Sequence, residues 1–218
     1  GTSSEKIILS NCGMNALFSA TEVLVAVQKE FGKTKIIQLG WLYVDTMEII
    51  ERKENSHIQI NIFDLVQLEN WLEINQEKVA VLITEVVSNP LLQCVNLPKL
   101  YELCSRFSVK LIVDNTLATP FCVDVLPFCD LVVESLTKFA CGNADLLFGA
   151  IVVTDTSLVS LVSENVIYND QNAEIQYYQP IKYTENPITA SPTDIVKFVA
   201  QTMSSSKIGS MIIHENRK

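Results

Sequence analysis

The 218-residue sequence predicts an α/β fold, with three layers and a mostly parallel sheet. Two observations support this fold class. Short apolar runs alternate with longer helical patterns over residues 1–154, and each run is apolar throughout rather than at every second position. Strands that helices cover on both faces have this pattern, because neither face of the sheet meets water.

The first part of the chain alternates strands and helices. We predict strands at 6–9, 35–39, 57–63 and 79–83, separated by helices at 14–31, 43–51 and 64–74. The first helix has one apolar face, formed by Leu17, Ala20, Leu24 and Val27. Asp64 is a suitable N-cap for the third helix, because its carboxylate can accept hydrogen bonds from first-turn amides.

The second part continues the same alternation and then changes character. We predict a helix at 96–107, with Pro98 in its first turn, and strands at 110–113, 131–133 and 148–153. Residues 165–193 are polar and contain three prolines, which indicates a long connection, and 191–204 is a further helix candidate. We therefore expect a cofactor-binding domain at 1–154, followed by a connection and a divergent or truncated segment at 155–218.

Composition excludes several classes of protein. The net charge is −9, with no cluster of lysines and arginines, so we expect no nucleic-acid partner. No apolar run approaches the roughly 18 residues of a membrane span, and the first residues lack a signal-peptide pattern, so we expect a cytoplasmic protein. None of the six cysteines occurs in a CxxC pair, and the two histidines lie far apart in the sequence. This spacing does not match that of zinc ligands, so we expect no metal.

Polar residues follow the predicted strands where each strand ends. A parallel sheet brings these carboxyl ends to one edge, where ligands bind. The groups expected at this edge are a helix N-terminus after Gly13, the carboxylate of Asp114, the hydroxyls of Ser135 and Thr137, and the amine of Lys138.

Each of these groups has a use in a pyridoxal phosphate site. A helix N-terminus and hydroxyls can bind the phosphate, and an aspartate can keep the pyridine nitrogen protonated. A lysine in a partly dry pocket can form a Schiff base with the aldehyde. Taken singly, Gly13, Asp114 and Lys138 each have an ordinary structural explanation, as a tight turn, a strand end and a surface lysine. The fingerprints GxGxxG and GxxxxGK[ST] of nucleotide-binding folds are absent.

Several motifs occur in register between about residues 7 and 154. They are Cys12-Gly-Met14, Tyr43-Val-Asp-Thr46, Glu85-Val-Val-Ser-Asn-Pro-Leu91, Val113-Asp-Asn-Thr-Leu-Ala-Thr-Pro120, Asp130-Leu-Val-Val-Glu-Ser-Leu-Thr-Lys-Phe139, Gly142-Asn-Ala-Asp145 and Gly149. In these motifs the chain resembles the transsulfuration, or Cys/Met metabolism, family of pyridoxal-phosphate enzymes. Within that family it is most similar to the cystathionine γ-synthases. The resemblance implies the large domain of the fold-type I pyridoxal-phosphate transferases.

The resemblance also implies roles for individual residues. Lys138 would be the Schiff-base lysine and proton shuttle, and Tyr43 would stack on the ring and assist proton transfer. Asp114 would pair with the pyridinium nitrogen, and Asn89 would lie near the 3′ oxygen. The remaining cofactor-binding positions would be the amides of Gly13 and Met14, the hydroxyls of Ser135 and Thr137, and Thr116 as support.

The implied reaction is a β/γ-elimination or γ-replacement on a sulfur or O-acylated amino acid, with cystathionine γ-synthesis as the best guess. Alternatives are a cystathionine- or methionine-type C–S lyase, an O-acylhomoserine sulfhydrylase, and a non-catalytic relative that acts as a binding or oligomer partner. The family implies a homodimer or homotetramer.

The chain looks truncated at both ends relative to the family, and its departures from the family also leave open a natural short relative or a degenerate one. The family's Tyr-x-Arg pair is absent, Arg217 is the sole arginine after Lys138, and Asn143 replaces a family histidine.

Overall fold

The computed structural model describes residues 2–52, 56–143, 145–177, 189–190 and 212–213. Its main sheet has seven strands: β1 (Ile7–Ser10), β2 (Lys35–Leu39), β3 (Ser56–Gln59), β4 (Val79–Glu85), β5 (Lys110–Asp114), β6 (Leu131–Ser135) and β7 (Gly149–Val153). Their order across the sheet is β1-β7-β6-β5-β4-β2-β3. Strand β7 is antiparallel to both of its neighbours, and the other pairs are parallel. The predicted α/β fold with a mostly parallel sheet is therefore confirmed.

Helices cover both faces of this sheet. They are α1 (Gly13–Lys29), α2 (Val44–Glu51), α3 (Leu65–Asn75), α4 (Leu97–Arg106), α5 (Thr119–Cys122) and α6 (Val159–Tyr177). One apolar cluster joins α3 and α4 to the sheet through Leu68, Leu72, Leu82, Leu100, Leu103 and Leu111. A second cluster, on the opposite face, joins α1 and α6 to the sheet through Leu17, Leu24, Ile83, Ile112, Val133 and Val162. Two further strands, β8 (Thr189–Ala190) and β9 (Ile212–Ile213), pair with each other. None of the described helices has the length and apolar character needed to cross a bilayer.

The predicted helix starts depend on side-chain caps. The Asp64 carboxylate accepts a hydrogen bond of 2.9 Å from the Gln67 amide, and Asp64 is the N-cap of α3. Asn96 caps α4 in the same way, by accepting a 3.2 Å bond from the Lys99 amide. Helix α1 begins with Gly13 as its first residue, and its cap is the thiol sulfur of Cys12.

Strand β3 is shorter than predicted. The sequence predicts a strand over 57–63, but the strand ends at Gln59. The Asn61 side chain accepts a hydrogen bond from the Phe63 amide, and the Gln59 amide group donates to two backbone carbonyl oxygens, those of Asn61 and Asp64. These local bonds make a turn more favourable than a longer strand, although the residues are apolar enough for one.

The prediction of a connection over 165–193 is wrong up to Tyr177, because α6 continues to that residue. Few apolar residues hold α6 in place, chiefly Leu158 just before it, Val162 and Val166. Polar contacts complete its packing, for example a buried 2.8 Å bond from the Asn169 amide group to the Ser19 hydroxyl. A helix held partly by polar bonds has a weak hydrophobic pattern. The helix candidate at 191–204 lies outside the described residues.

The start of α1 lies unusually close to the start of β7. A Cβ atom on Gly149 would be 2.3 Å from the Cys12 carbonyl oxygen and 2.9 Å from the Gly13 nitrogen. A Cβ atom on Gly13 would be 2.6 Å from the Cβ of Ser135. Glycine is therefore required at both positions, since any side chain would separate α1 from the ends of β6 and β7.

We expect Gly149→Ala to lower the free energy of unfolding by about 1–3 kcal/mol, because the new methyl group meets backbone atoms that cannot rotate away. Gly13→Ala tests the other side of the same contact and should have a loss of similar size. Urea unfolding of both variants measures this. A change within about 0.5 kcal/mol for both would show that the close approach is not needed.

Glu134 is a buried carboxyl group on β6, and its Oε1 atom has no hydrogen-bond partner among the described residues. Burial, with a smaller effect from the charge of Asp114, raises the pKa of Glu134 to about 7. The folded protein therefore holds a proton that the unfolded chain releases near pH 4.5. The resulting stability is complete below about pH 4.5 and is lost as the pH rises through 7.

We expect Glu134→Gln to leave the free energy of unfolding nearly unchanged at pH 5 and to raise it by about 1–3 kcal/mol at pH 8.5. The neutral amide avoids the cost of a buried negative charge. Urea unfolding of the cofactor-free protein at the two pH values gives the comparison. Glu102→Gln, an exposed substitution on α4, is the control and should show no such difference. A pH-independent effect of Glu134→Gln would contradict this assignment.

Candidate active site

The carboxyl ends of the parallel strands meet at one edge of the sheet and line a pocket of about 650 Å³. All nine residues that the sequence analysis singled out line this pocket: Gly13, Met14, Tyr43, Asn89, Asp114, Thr116, Ser135, Thr137 and Lys138. Apolar residues complete the lining, including Leu17, Val44, Val87, Leu117, Phe139 and Leu147. The structure thus brings together side chains that are up to 125 positions apart in the sequence, from Gly13 to Lys138.

One wall of the pocket is the N-terminus of α1. Gly13 and Met14 are its first two residues, so their amide groups have no partner within the helix. The positive end of the helix dipole lies at the same place. Ser135 packs directly against Gly13, and its hydroxyl oxygen would be 3.0 Å from a Cβ atom at that position. This wall has the donors and the charge that favour an anion.

The floor of the pocket contains Asp114, at the end of β5. The Thr116 amide donates a 2.9 Å hydrogen bond to the Asp114 carboxylate. The Thr116 hydroxyl in turn accepts a 2.8 Å bond from the Ser135 amide at the end of β6. Thr116 therefore connects the carboxylate on β5 to the strand that leads into Ser135 and Lys138.

Glu85 is a second carboxyl group at this floor, and the sequence analysis gave it no role. It ends β4 and is the direct neighbour of Asp114 across the parallel pair. Its two oxygens accept backbone hydrogen bonds, one from Tyr43 and one of 3.1 Å from Asn89. The signal that could have indicated it was a glutamate just after the apolar run Val79–Ile83 and Thr84, with an aspartate just after the next apolar run.

The two neighbouring carboxyl groups affect each other. Burial and the nearby Asp114 raise the pKa of Glu85 to about 8, so the pair of carboxyl groups holds a proton at neutral pH. Burial also raises the pKa of Asp114, against hydrogen bonds from Thr116 that lower it. Among the described residues, no lysine or arginine forms an ion pair with Asp114. The floor therefore contains a buried acidic pair that lacks a cation.

Tyr43 is the residue before α2, and its side chain is half-buried at the pocket. Its backbone amide donates to Glu85, which fixes its position relative to the floor. Burial and the nearby Asp45 raise the pKa of the Tyr43 phenol, so the hydroxyl remains protonated at neutral pH.

Thr137 and Lys138 lie in the turn that follows β6. The Thr137 hydroxyl accepts a 3.1 Å bond from the Phe148 amide, so this side chain joins the turn to the residue before β7. Lys138 lines the pocket, but its side chain is exposed. In the part of the chain that the structure describes, this amine is therefore open to solvent.

These groups fit pyridoxal phosphate on chemical grounds. The N-terminus of α1 offers free amides suited to a phosphate, and the acidic floor lacks the cation that a protonated pyridine nitrogen would supply. Lys138 supplies a primary amine to the same pocket. Neither Arg52 nor Arg106 lines the pocket. Arg52 pairs with Glu48 and Arg106 pairs with Glu69.

Comparison with known sequences identifies a family. The family described as Cys/Met metabolism PLP-dependent enzyme matches residues 2–176. The chain is 40% identical over 154 residues to the L-2-amino-4-chloropent-4-enoate dechlorinase/desaturase of Streptantibioticus cattleyicolor, over 69% of this chain and 31% of that protein. It is 36% identical over 159 residues to the cystathionine gamma-synthase of Neurospora crassa, over 70% of this chain and 25% of that protein. The chain thus spans less than one third of the length of these two relatives.

Solved structures give the same fold. The cystathionine gamma synthase of Xanthomonas oryzae pv. oryzae superposes with a TM-score of 0.65 at 21% identity, over 75% of this chain and 42% of that one. The resemblance found in the sequence is confirmed by the match to the family. The chain belongs to the Cys/Met metabolism family of PLP-dependent enzymes.

Proposed function

We propose that this chain carries the cofactor-binding part of an enzyme that performs β/γ-elimination or γ-replacement on sulfur or O-acylated amino acids. Cystathionine γ-synthesis from an activated homoserine and cysteine is the reaction we favour. The observation that carries the proposal is the convergence of all nine predicted residues on one pocket. The division into a domain at 1–154 and a segment at 155–218 stays a prediction.

In this proposal the phosphate binds at the start of α1. The amides of Gly13 and Met14 donate to it, and the Ser135 hydroxyl, packed against Gly13, is a further donor. The hydroxyl of Thr137 is engaged with the Phe148 amide, so a direct contact with the phosphate would require it to exchange that partner. The helix dipole adds a favourable interaction with the negative charge.

The ring would lie over the acidic floor. Asp114 would pair with the ring nitrogen, whose positive charge would favour the ionised form of this carboxyl group. Thr116 holds Asp114 in place, and Asn89 faces the ring's 3′ oxygen. Tyr43 stacks on the ring.

Lys138 would supply the amine that holds the cofactor's aldehyde, and the same amine would move protons between the substrate carbons. When bound, the cofactor ring accepts the electron pair that the α-carbon releases. The protonated Tyr43 hydroxyl is a candidate donor to the departing group. Removal of the α-proton is common to all the reactions under consideration. Loss of a γ group also requires removal of a β-proton, which the same lysine amine would accept.

The relatives support a substrate class rather than one substrate. One is named a dechlorinase/desaturase that acts on a 4-chloro amino acid, and others are cystathionine gamma-synthases. Both names describe chemistry beyond the α-carbon of an amino acid. We propose small amino-acid substrates on this basis.

We also propose self-association as a homodimer or homotetramer. Two large apolar side chains that line the pocket are strongly exposed: Phe139 (63%) and Leu147 (66%). Exposed apolar residues grouped at a functional mouth are typical of surfaces that another chain covers.

We expect the wild-type chain to keep a visible absorption band after incubation with pyridoxal phosphate and desalting, and Lys138→Ala to lose it. Borohydride reduction followed by peptide mapping should place the cofactor on Lys138. Lys99→Ala, an exposed lysine on α4, is the control and should behave like the wild type.

The absence of a retained band in the wild type would contradict cofactor binding by this chain and would favour a non-catalytic relative. A band that persists in Lys138→Ala would contradict the assignment of Lys138. Binding rather than turnover is the appropriate readout, because the chain spans less than one third of the relatives' length.

A further inference from the structure

The loop from Ser10 to Asn15 leads from β1 into α1, and a residue far away in the sequence holds it. Asp170 on α6 accepts a 2.9 Å hydrogen bond from the Ser10 hydroxyl and a 3.1 Å bond from the Asn11 amide. The side-chain amide of Asn15 donates a further short bond to the same carboxylate. One carboxylate therefore binds both sides of the Cys12-Gly13 turn.

Besides its packing against Gly149 and Ser135, this loop has few other side-chain hydrogen bonds among the described residues. The Cys12 thiol sulfur accepts from the Asn15 amide at 3.4 Å, and sulfur is a poor acceptor. The side-chain oxygens of Asn11 and Asn15 are buried without hydrogen-bond partners among the described residues. The bonds to Asp170 are thus the principal side-chain hydrogen bonds from the loop to the rest of the described chain.

We infer that Asp170 is a positioning residue that holds the α1 N-terminus in the geometry needed for the cofactor phosphate, before the cofactor binds. This inference rests on the proposed function for the identity of the ligand. Asp170 does not line the pocket, so its effect acts through Ser10, Asn11 and Asn15.

The charge of Asp170 and its hydrogen bonds to the loop have opposite effects on the affinity for a phosphate. A carboxylate near the phosphate repels it, so its removal would tighten binding if charge alone mattered. If Asp170 orders the loop, its removal weakens binding, because fixing the backbone of one loop residue costs a factor of about ten in an equilibrium constant. The direction of the change therefore separates the two effects.

The chain offers a matched control. Asn169 is the preceding residue on α6, and its side chain bonds to Ser19 within α1 rather than to the loop. Asn169→Ala removes a bond between α6 and α1 but keeps the bonds from Asp170 to the loop. Asp170→Ala removes the bonds to the loop. Asp170→Asn keeps an acceptor but presents an amide group where the Asn11 amide needs an oxygen, so we expect an intermediate effect.

The first measurement is backbone ¹⁵N relaxation of the cofactor-free protein. Gly13 and Met14 do not contact Asp170, so their order reports on the loop rather than on a lost bond. In Asp170→Ala we expect their order parameters to fall from about 0.85 towards 0.6, and in Asn169→Ala we expect no fall. Unchanged order in Asp170→Ala would overturn the inference.

The second measurement is the affinity for pyridoxal phosphate, followed by absorbance. We expect Asp170→Ala to weaken binding about tenfold and Asn169→Ala to change it by less than about twofold. Equal or tighter binding by Asp170→Ala would overturn the inference while leaving the proposed function intact. If the wild type does not bind, the proposed function fails, and the relaxation data alone decide whether Asp170 orders the loop.

Discussion

The close contact between the start of α1 and the ends of β6 and β7 is the constraint on which the site depends. Gly149 approaches the backbone of Cys12, and Gly13 approaches Ser135, at distances that exclude a side chain on either glycine. Because α1 packs against the centre of the sheet, this contact fixes where the helix dipole and the first free amides lie. The pocket, its acidic floor and the turn that contains Lys138 are arranged around that point.

The floor of the pocket places two carboxyl groups next to each other. Asp114 and Glu85 occupy equivalent positions on neighbouring parallel strands, where two ionised carboxylates would repel each other strongly. Burial raises the pKa of both carboxyl groups, so the pair holds a proton at neutral pH instead of carrying two negative charges. Each group is also bound by backbone amides, those of Thr116, Tyr43 and Asn89. A cation placed over this pair would be bound favourably, as the proposed function requires of the ring nitrogen.

Much of this could be predicted from the sequence, for a physical reason. Buried parallel strands are apolar throughout, so their ends are visible as the first polar residues after each run, and the topology then places those residues together. Asp114, Ser135 and Lys138 were found in this way, with the family motifs adding Tyr43 and Asn89.

The rest depends on contacts between distant residues, which a local pattern does not encode. Helix α6 was missed because polar bonds hold its second half, and Asp170 reaches a loop 155 to 160 positions earlier in the chain. Glu85 was seen but given no role, because its importance comes from the register with Asp114. The exposure of Lys138 depends on which residues cover the mouth of the pocket. Predicting individual strands and helices from local patterns does not identify those residues.

The measurement that tests the central claim most directly is a ¹⁵N–¹H NMR titration of the Lys138→Ala variant, in which no covalent bond can form. We expect pyridoxal phosphate to shift the amide signals of Gly13 and Met14, and pyridoxal, which lacks the phosphate, to leave them nearly unchanged. This result would identify the start of α1 as the phosphate-binding wall. Equal shifts with both compounds, or shifts confined to other parts of the chain, would contradict the account.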